Sequence, residues 1–344
     1  MQDSAMVKLG PLDERIVHAL QIAPRASWAR VGEVLGVDPV TVGRHWERMR
    51  EAGLAWVTAY PGTRLQRGME VTLLEIDCRA GQVERVADRL AAMPQVMTVE
   101  HMVGGRDLLI TAFTPDLADL SHLILGRISR LGGVLSTRAQ IATRVFGEGS
   151  RWRLRALTET EQRELRGPEP AGRRAEPPVS RPDDTSRALL AALAADGRRS
   201  VTDLAAATGL SASTVRRRLG RLLDERSLAL RCDVARDLTE WPVSATLWAK
   251  APADRLDQIA RGLLALSEVR MCMSVTGPHN LVFTVWLRSV ADVQRLEAQL
   301  AERLPHLALV DRAIALRQIK LMGRLIDETG RAAGVVPMEL WTAP

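Results

Sequence analysis

Apolar residues recur along this chain at two spacings, and the change from one to the other marks its organisation. Near the start, Ile16, Val17 and Leu20 form one stripe, and Val31, Val34 and Leu35 form a second between Ser27 and Gly36. Spacings of three and four residues put such groups on one face of a helix. A third helix is predicted from Asp38-Pro39, a capping side chain followed by proline at the first helical position. Its buried face is Val42, Trp46 and Met49, and Gly53 ends it. Trp28 and Trp46 are both expected in the core. Two short helices joined by a tight glycine turn, the second with polar residues outward, make a helix-turn-helix pattern.

Beyond Gly53 the period shifts toward strands. Val71–Asp77 reads as a strand, Gly81–Met93 as an amphipathic helix carrying Val83, Val86 and Leu90, and Val96–Met102 as a strand. The turn Gly104-Gly105-Arg106-Asp107 follows, then a strand at Leu108–Phe113, a helix at Leu117–Leu131 and a last strand at Val134–Val145. The order βαββαβ predicts a ferredoxin-like sandwich, an antiparallel sheet with helices on one face.

The whole pattern is written twice. A displacement of 173 residues sets Leu20 on Leu193, Ser27 on Ser200, Gly36 on Gly209, Thr41-Val42 on Thr214-Val215, and Arg44 on Arg217. The same register sets Leu90 on Leu263, Gly104 on Gly277, Leu108 on Leu281, and Arg144 on Arg317. A tandem duplication follows. In the second copy the helical stripes are Leu189/Leu190/Leu193, Leu204/Thr208 and Val215/Leu219/Leu222, with Ser211 in the capping place. Between the copies, residues 167–184 are rich in proline and charge and read as an exposed linker. Just before it, Thr158 with Glu161 forms a capping box for a short connector helix through Leu165. The expected architecture is α+β: two copies of a (winged) helix-turn-helix followed by a βαββαβ ferredoxin-like sandwich. Helix-turn-helix domains are placed at 12–60 and 185–232, sandwich domains at 69–146 and 242–320, and connector and linker at 147–184.

Composition narrows the function. The 344 residues exceed one ordinary domain, and 46% hydrophobic content is enough for packed cores with only 3% aromatics. Three scattered cysteines, Cys78, Cys232 and Cys272, argue against a disulfide framework and against zinc spacing. The first residues, MQDSAMVKLG, lack the apolar core of a signal peptide, and no uncharged apolar stretch approaches the ~20 residues needed to span a bilayer. A cytoplasmic protein without membrane partner, metal or cofactor is expected. The net charge of +6 is only mildly basic, so its distribution matters more. Residues 185–228 carry eight Arg against four acids, whereas residues 12–55 carry six Arg against six acids.

A helix-turn-helix followed by βαββαβ, with a Gly-x-x-Asp turn between the second and third strands, resembles the leucine-responsive/asparagine regulator (Lrp/AsnC) family. The stretches Leu12-Asp13-Glu14-Arg15, Leu35–Val42 and Thr208–Leu219 are similar to the family's DNA-binding region. The likeness covers roughly residues 12–146 and 185–320. It implies a sequence-specific regulator that binds double-stranded DNA, responds to a small effector such as an amino acid, and assembles as a homo-oligomer.

With Val215, Leu219 and Leu222 inward, the second recognition helix presents Ser213, Thr214, Arg216, Arg217, Arg218 and Arg221 for DNA. The first presents Thr41, Arg44, His45 and Arg48. Arginine bridges guanine O6 and N7 or binds phosphate, and hydroxyls near a helix start suit phosphate oxygens. By resemblance, the effector lies at Gly104, Gly105 and Asp107 in the first copy and at Gly277 and Asn280 in the second. Two departures stand out: Arg106 where the family usually has an aromatic, and Asn280 after Pro278-His279 in place of the acid.

No phosphate loop, HExxH or nucleophile elbow occurs, and the six histidines are dispersed. No catalytic residue is therefore assigned. Two alternatives remain. Siroheme decarboxylases share this layout, and His279-Asn280-Leu281-Val282-Phe283-Thr284 faintly resembles their turn and strand. A metabolite sensor that uses only the sandwich domains and binds no DNA is the other.

Overall fold

The computed structural model describes residues 9–166 and 181–340; most of the proline-rich linker lies outside them. The first copy runs through α1 (Pro11–Ile22), α2 (Trp28–Leu35), α3 (Pro39–Glu51), β1 (Ala55–Pro61), the one-turn α4 (Thr63–Gln66), β2 (Glu70–Cys78), α5 (Val83–Ala91), β3 (Val96–Val103), β4 (Leu108–Thr114), α6 (Leu117–Ser121) and β5 (Val134–Gly147). The connector helix α7 (Glu159–Arg166) follows. The second copy comprises α8 (Asp184–Ala195), α9 (Val201–Thr208), α10 (Ala212–Asp224), β6 (Leu228–Val234), β7 (Val243–Lys250), α11 (Leu256–Leu264), β8 (Val269–Val275), β9 (Leu281–Leu287), α12 (Asp292–Arg303) and β10 (Ala308–Leu321). Short strands β11 (Arg324–Ile326) and β12 (Ala332–Val335) close the described chain.

These elements sort by type rather than by copy. One compact unit gathers both sandwich halves, Glu70–Trp152 and Thr239–Leu321; the other gathers both helix-turn-helix heads, the connector and the C-terminal strands. In the sandwich unit the eight strands pair in a closed ring, β2-β4-β3-β10-β7-β9-β8-β5 and back to β2, every pair antiparallel. The two joints between copies have the same register. Arg144 stands opposite Ser274 in one, and Arg317 opposite His101 in the other, positions related by the repeat. The pairing is therefore a two-fold arrangement inside one chain.

The outer layer of each half is helical. In the second copy, Leu247, Ile259, Leu263, Phe283, Val285 and Leu300 form its core. The predicted first-copy helix at Leu117–Leu131 is only partly regular: after α6 it widens into π turns over His122–Arg127 and tightens at Ile128–Arg130. Gly126 sits in the widened stretch with the His122 ring over it, and glycine weakens a helix interior. The matching α12 has Gln299 there and stays regular.

In the head unit, β1 and β6 pair antiparallel about Thr58 and Arg231, themselves repeat equivalents. The strands thus pair with one another across the copies. Each strand also serves the opposite head: Ala59 joins Leu189, Leu193, Leu204, Val215 and Leu219 in the second head's core. The Thr58 hydroxyl donates to the Ala194 carbonyl at 3.0 Å. A reciprocal clasp adds to this. Arg25 donates to the carbonyls of Gly197 and Arg199 at 2.5 and 3.0 Å, and Arg198 to those of Pro24 and Ala26 at 2.6 and 2.9 Å. The Arg198 guanidinium lies 3.8 Å from the Trp28 ring centre. Trp28 is accordingly half-buried at the junction of the heads, not in a core, whereas Trp46 is buried as expected.

The connector docks on the first head. Its capping box forms as expected, with the Thr158 amide donating to Glu161 at 2.7 Å and the Glu161 amide to the Thr158 hydroxyl at 3.3 Å. Arg15 pairs with Glu161 at 2.6 Å. The buried His18 accepts at Nδ1 from the amides of Ala156 and Leu157, 3.2 and 3.1 Å away. The three cysteines are buried and free, and burial pushes Cys78 up to about 11 and Cys272 to about 12. No helix among the described residues is long and apolar enough to cross a membrane.

Two outcomes are expected. Removing the clasp with Arg198→Ala leaves two carbonyls without their donor and lowers stability by about 1–3 kcal/mol in chemical unfolding; Arg25→Ala acts on the same junction. Burial, reinforced by Arg153, lowers the His18 pKa from 6.5 to about 4. The unfolded chain then binds the extra proton first, so this contribution is complete above pH 6.5 and lost as pH falls towards 4. The stability difference between wild type and His18→Gln should shift within that window, and a constant difference would exclude the coupling.

Candidate nucleic-acid interface

Both recognition helices start in the same way. In the first head, Gly36 adopts a left-handed φ of +67°, and the Asp38 carboxylate accepts from the amides of Val40 and Thr41 at 2.9 and 3.2 Å. In the second, Gly209 has φ +69°, and the Ser211 hydroxyl accepts from the Thr214 amide at 3.2 Å. A left-handed glycine ends one helix and a polar cap starts the next. Val42, Trp46 and Met49 are buried in α3, as are Val215, Leu219 and Leu222 in α10. Burial of these groups fixes which face each helix turns outward.

The outward faces differ. On α10, Arg216 and Arg217 are exposed and have no ion-pair partner among the described residues. Arg218 pairs with Asp183 at 2.8 Å, and Arg221 with Glu225 at 2.7 Å. The Ser211 hydroxyl lies 3.0 Å from that of Ser213 and 2.9 Å from that of Thr214. On α3, Arg44 is exposed and likewise unpaired among the described residues. His45 and Arg48 instead turn back to Asp13 of α1, at 2.7 and 2.9 Å, and Thr41 is half-buried. The expected first-head set of four therefore divides into one free arginine, one half-buried threonine and two groups engaged in holding α3 to α1. This role of Asp13 has no signal in the sequence, because only packing of α1 against α3 brings it there. Val40, outside the expected set, is 68% exposed and stands where the second head has Ser213.

The glycine turns of the sandwich unit are also asymmetric. Gly104 and Gly277 have φ +133° and +106°, values that favour glycine. The Asp107 carboxylate accepts from the Cys78 amide at 2.7 Å. At the equivalent place Asn280 accepts from the Ala251 amide at 3.0 Å and donates to its carbonyl at 2.8 Å. Both side chains tie the turn to the end of the neighbouring strand. Gly105 faces open space, and its carbonyl accepts from Arg138 at 3.2 Å. Arg106 is buried, 3.1 Å from Glu75, paired with Asp311, and 4.0 Å from the Trp248 ring centre. Arg138 and Gln140 reach Glu75 at 3.2 and 3.3 Å, and the Trp248 indole donates to Gln140 at 3.0 Å. Among the described residues, no group of three or more metal-ligating side chains occurs.

Comparison with known proteins agrees with this layout. A model of the AsnC-type helix-turn-helix domain matches residues 11–50 and 183–223, and one of the Lrp/AsnC ligand binding domain matches 72–152 and 244–325. The chain belongs to the Lrp/AsnC family, a class of helix-turn-helix transcriptional regulators, in a tandem-duplicated form. An uncharacterized HTH-type transcriptional regulator of Pyrococcus furiosus is 28% identical over 138 residues, covering 40% of this chain and 93% of that protein. Regulatory protein AsnC of Haemophilus influenzae is 23% identical over 139 residues, covering 40% and 93%. Among solved structures, the siroheme decarboxylase NirDL bound to an iron-uroporphyrin III analogue superposes with TM-score 0.59 at 15% identity, covering 91% of this chain and 93% of that one. At that identity the likeness establishes the fold.

Asp107→Ala and Asn280→Ala should each lower stability by about 1–3 kcal/mol, because each leaves a backbone amide without its acceptor. Thermal unfolding of the two variants checks this; unchanged midpoints would release both side chains for ligand contact.

Proposed function

We propose that this regulator reads DNA with two unequal heads held in one unit, the second supplying the stronger phosphate attraction. The observation that carries the reading is the pair of exposed, unpaired arginines on α10, with Arg44 at the equivalent of Arg217 on α3. An exposed guanidinium at the front of a recognition helix meets guanine edges or phosphates without first breaking an ion pair. The recognition set is Ser213, Thr214, Arg216 and Arg217 on α10 and Thr41 and Arg44 on α3. Arg218, Arg221, His45 and Arg48 act at the flanks, after exchanging their carboxylate partners for phosphate. Because β1, β6 and the arginine clasp join the heads, both engage one duplex together, and the operator need not be palindromic. A small effector of the sandwich unit, a cytoplasmic setting and further assembly of whole chains complete the reading, which involves no catalysis.

One observation favours a second reading, a siroheme decarboxylase-like enzyme: the likeness of fold to NirDL along most of both chains. That reading leaves the arginines of α10 without a role. An absorbance titration with iron-uroporphyrin separates the two. A saturable spectral shift supports the enzyme, and an unchanged spectrum supports the regulator.

The direct test is a salt-dependent gel shift on duplexes selected by the full chain from a randomised library. Arg216→Ala/Arg217→Ala should weaken binding and reduce the log–log salt slope by about 2, since each phosphate contact contributes roughly 0.9. Failure to select any duplex would remove the DNA reading. On this reading Val40, exposed at the start of α3, meets a thymine methyl group in the first half-site. Replacing that thymine by deoxyuridine should weaken wild-type binding, while Val40→Ser should bind the two duplexes equally.

A further inference from the structure

An open cleft of about 430 Å³ lies in the sandwich unit where the end of β5 meets α11, a size in the ~300–1,000 Å³ range of small-ligand sites. Three arginines line it, Arg144, Arg151 and Arg261, with Phe146 and Leu264 as apolar wall and Asp257 as its carboxylate. Asp257 is already engaged: Arg144 donates to its two oxygens at 2.8 and 3.0 Å. The Arg144 guanidinium also lies 4.9 Å from the Phe146 ring centre. Arg151 reaches the Phe146 carbonyl at 3.4 Å. Arg261 is exposed and has no hydrogen-bond or ion-pair partner among the described residues.

The repeat supplies an internal control. Arg144 is matched by Arg317, but Arg261 is matched by Asp88, Asp257 by Glu84, and Leu264 by Ala91. At the joint itself, Gly147 leaves room for Leu264, whereas its equivalent Lys320 is fully buried and donates to the Met93 carbonyl at 2.9 Å. Arg151 is matched by Arg324 and Phe146 by Ile319, so of the two equivalent places only the first carries a third arginine, Arg261, where the other has Asp88.

We infer that this cleft binds a small carboxylate with an apolar tail and no α-ammonium group. The planar guanidinium fork matches a carboxylate, and the Phe146–Leu264 wall takes the tail. An ammonium group would enter a cleft of net positive charge whose one carboxylate is paired with Arg144. The cleft thereby selects against amino acids. The inference rests on the ligand-binding reading of the sandwich unit and is independent of the DNA contacts.

Calorimetric titration of the full chain with matched pairs tests it: 4-methylpentanoate against leucine, and 3-phenylpropanoate against phenylalanine, each pair differing by the amino group alone. The deaminated member should bind at least about tenfold more tightly, and Arg261→Ala should weaken it by about tenfold. Asp257→Asn, which releases Arg144, should tighten binding, and Asp88→Ala at the equivalent place should leave it unchanged. Equal affinity within the pairs, no binding at millimolar concentration, or an Arg261→Ala variant with wild-type affinity would each overturn the inference. A protein that shifts its selected duplex yet binds none of the four acids fails here alone and leaves the DNA reading standing.

Discussion

Each βαββαβ sheet has two faces, and its own helices cover only one of them. In the second copy the helix-covered face carries Leu247, Phe283 and Val285, and strand alternation turns Trp248, Val282 and Trp286 the other way, where they are also buried. The first copy has the same need at Leu73, Leu109 and Phe113. A half-sandwich standing alone would expose this second apolar face and two sheet edges. Pairing the copies removes both problems, because β5 joins β8 and β10 joins β3 to close the ring. Tandem duplication supplies the partner at a high effective concentration set by the connecting chain.

Once the two halves are covalently joined, they are free to differ, and the buried positions show it. Glu75 and Trp248 are repeat equivalents, as are Arg106 and His279. Arg106 bridges them, paired with Glu75 and stacked on Trp248. In two copies of the first half, Arg106 would meet a second Glu75 where Trp248 now stands. Such a buried network is favourable only while every member keeps its partner. The same freedom places Arg261 on α11 where α5 has Asp88. In the head unit the symmetric interactions are the ones that hold the heads together, the β1–β6 ladder and the Arg25/Arg198 clasp. The outward residues are the ones that diverge.

Much of this was legible in the chain. The helical stripes, the capping residues at Asp38 and Ser211, the βαββαβ order and the repeat are local or periodic signals, and the folded elements follow them within a residue or two. One exception has a local cause, Gly126 in the helix after α6; the other is a long-range contact, Arg198 holding Trp28 at the junction of the heads. The candidate sites were less legible. A list of outward arginines did not reveal which were already paired, since Asp13 reaches His45 and Arg48 from another helix and Asp183 reaches Arg218 across a head. Nor did the Gly-x-x-Asp turn show that Asp107 and Asn280 hold a neighbouring strand end.

Periodicity and internal repetition by themselves determined the fold class, the two-domain module and its duplication, because backbone geometry imposes those spacings on any sequence that buries one face. They also located the excess positive charge on the second head. Only the tertiary structure decided that like domains gather into units, that β1 and β6 cross between heads, and which polar groups remain free. The reason is physical: hydrogen bonds and ion pairs act over about 3 Å between residues as far as 174 positions apart, and no local spacing encodes such contacts.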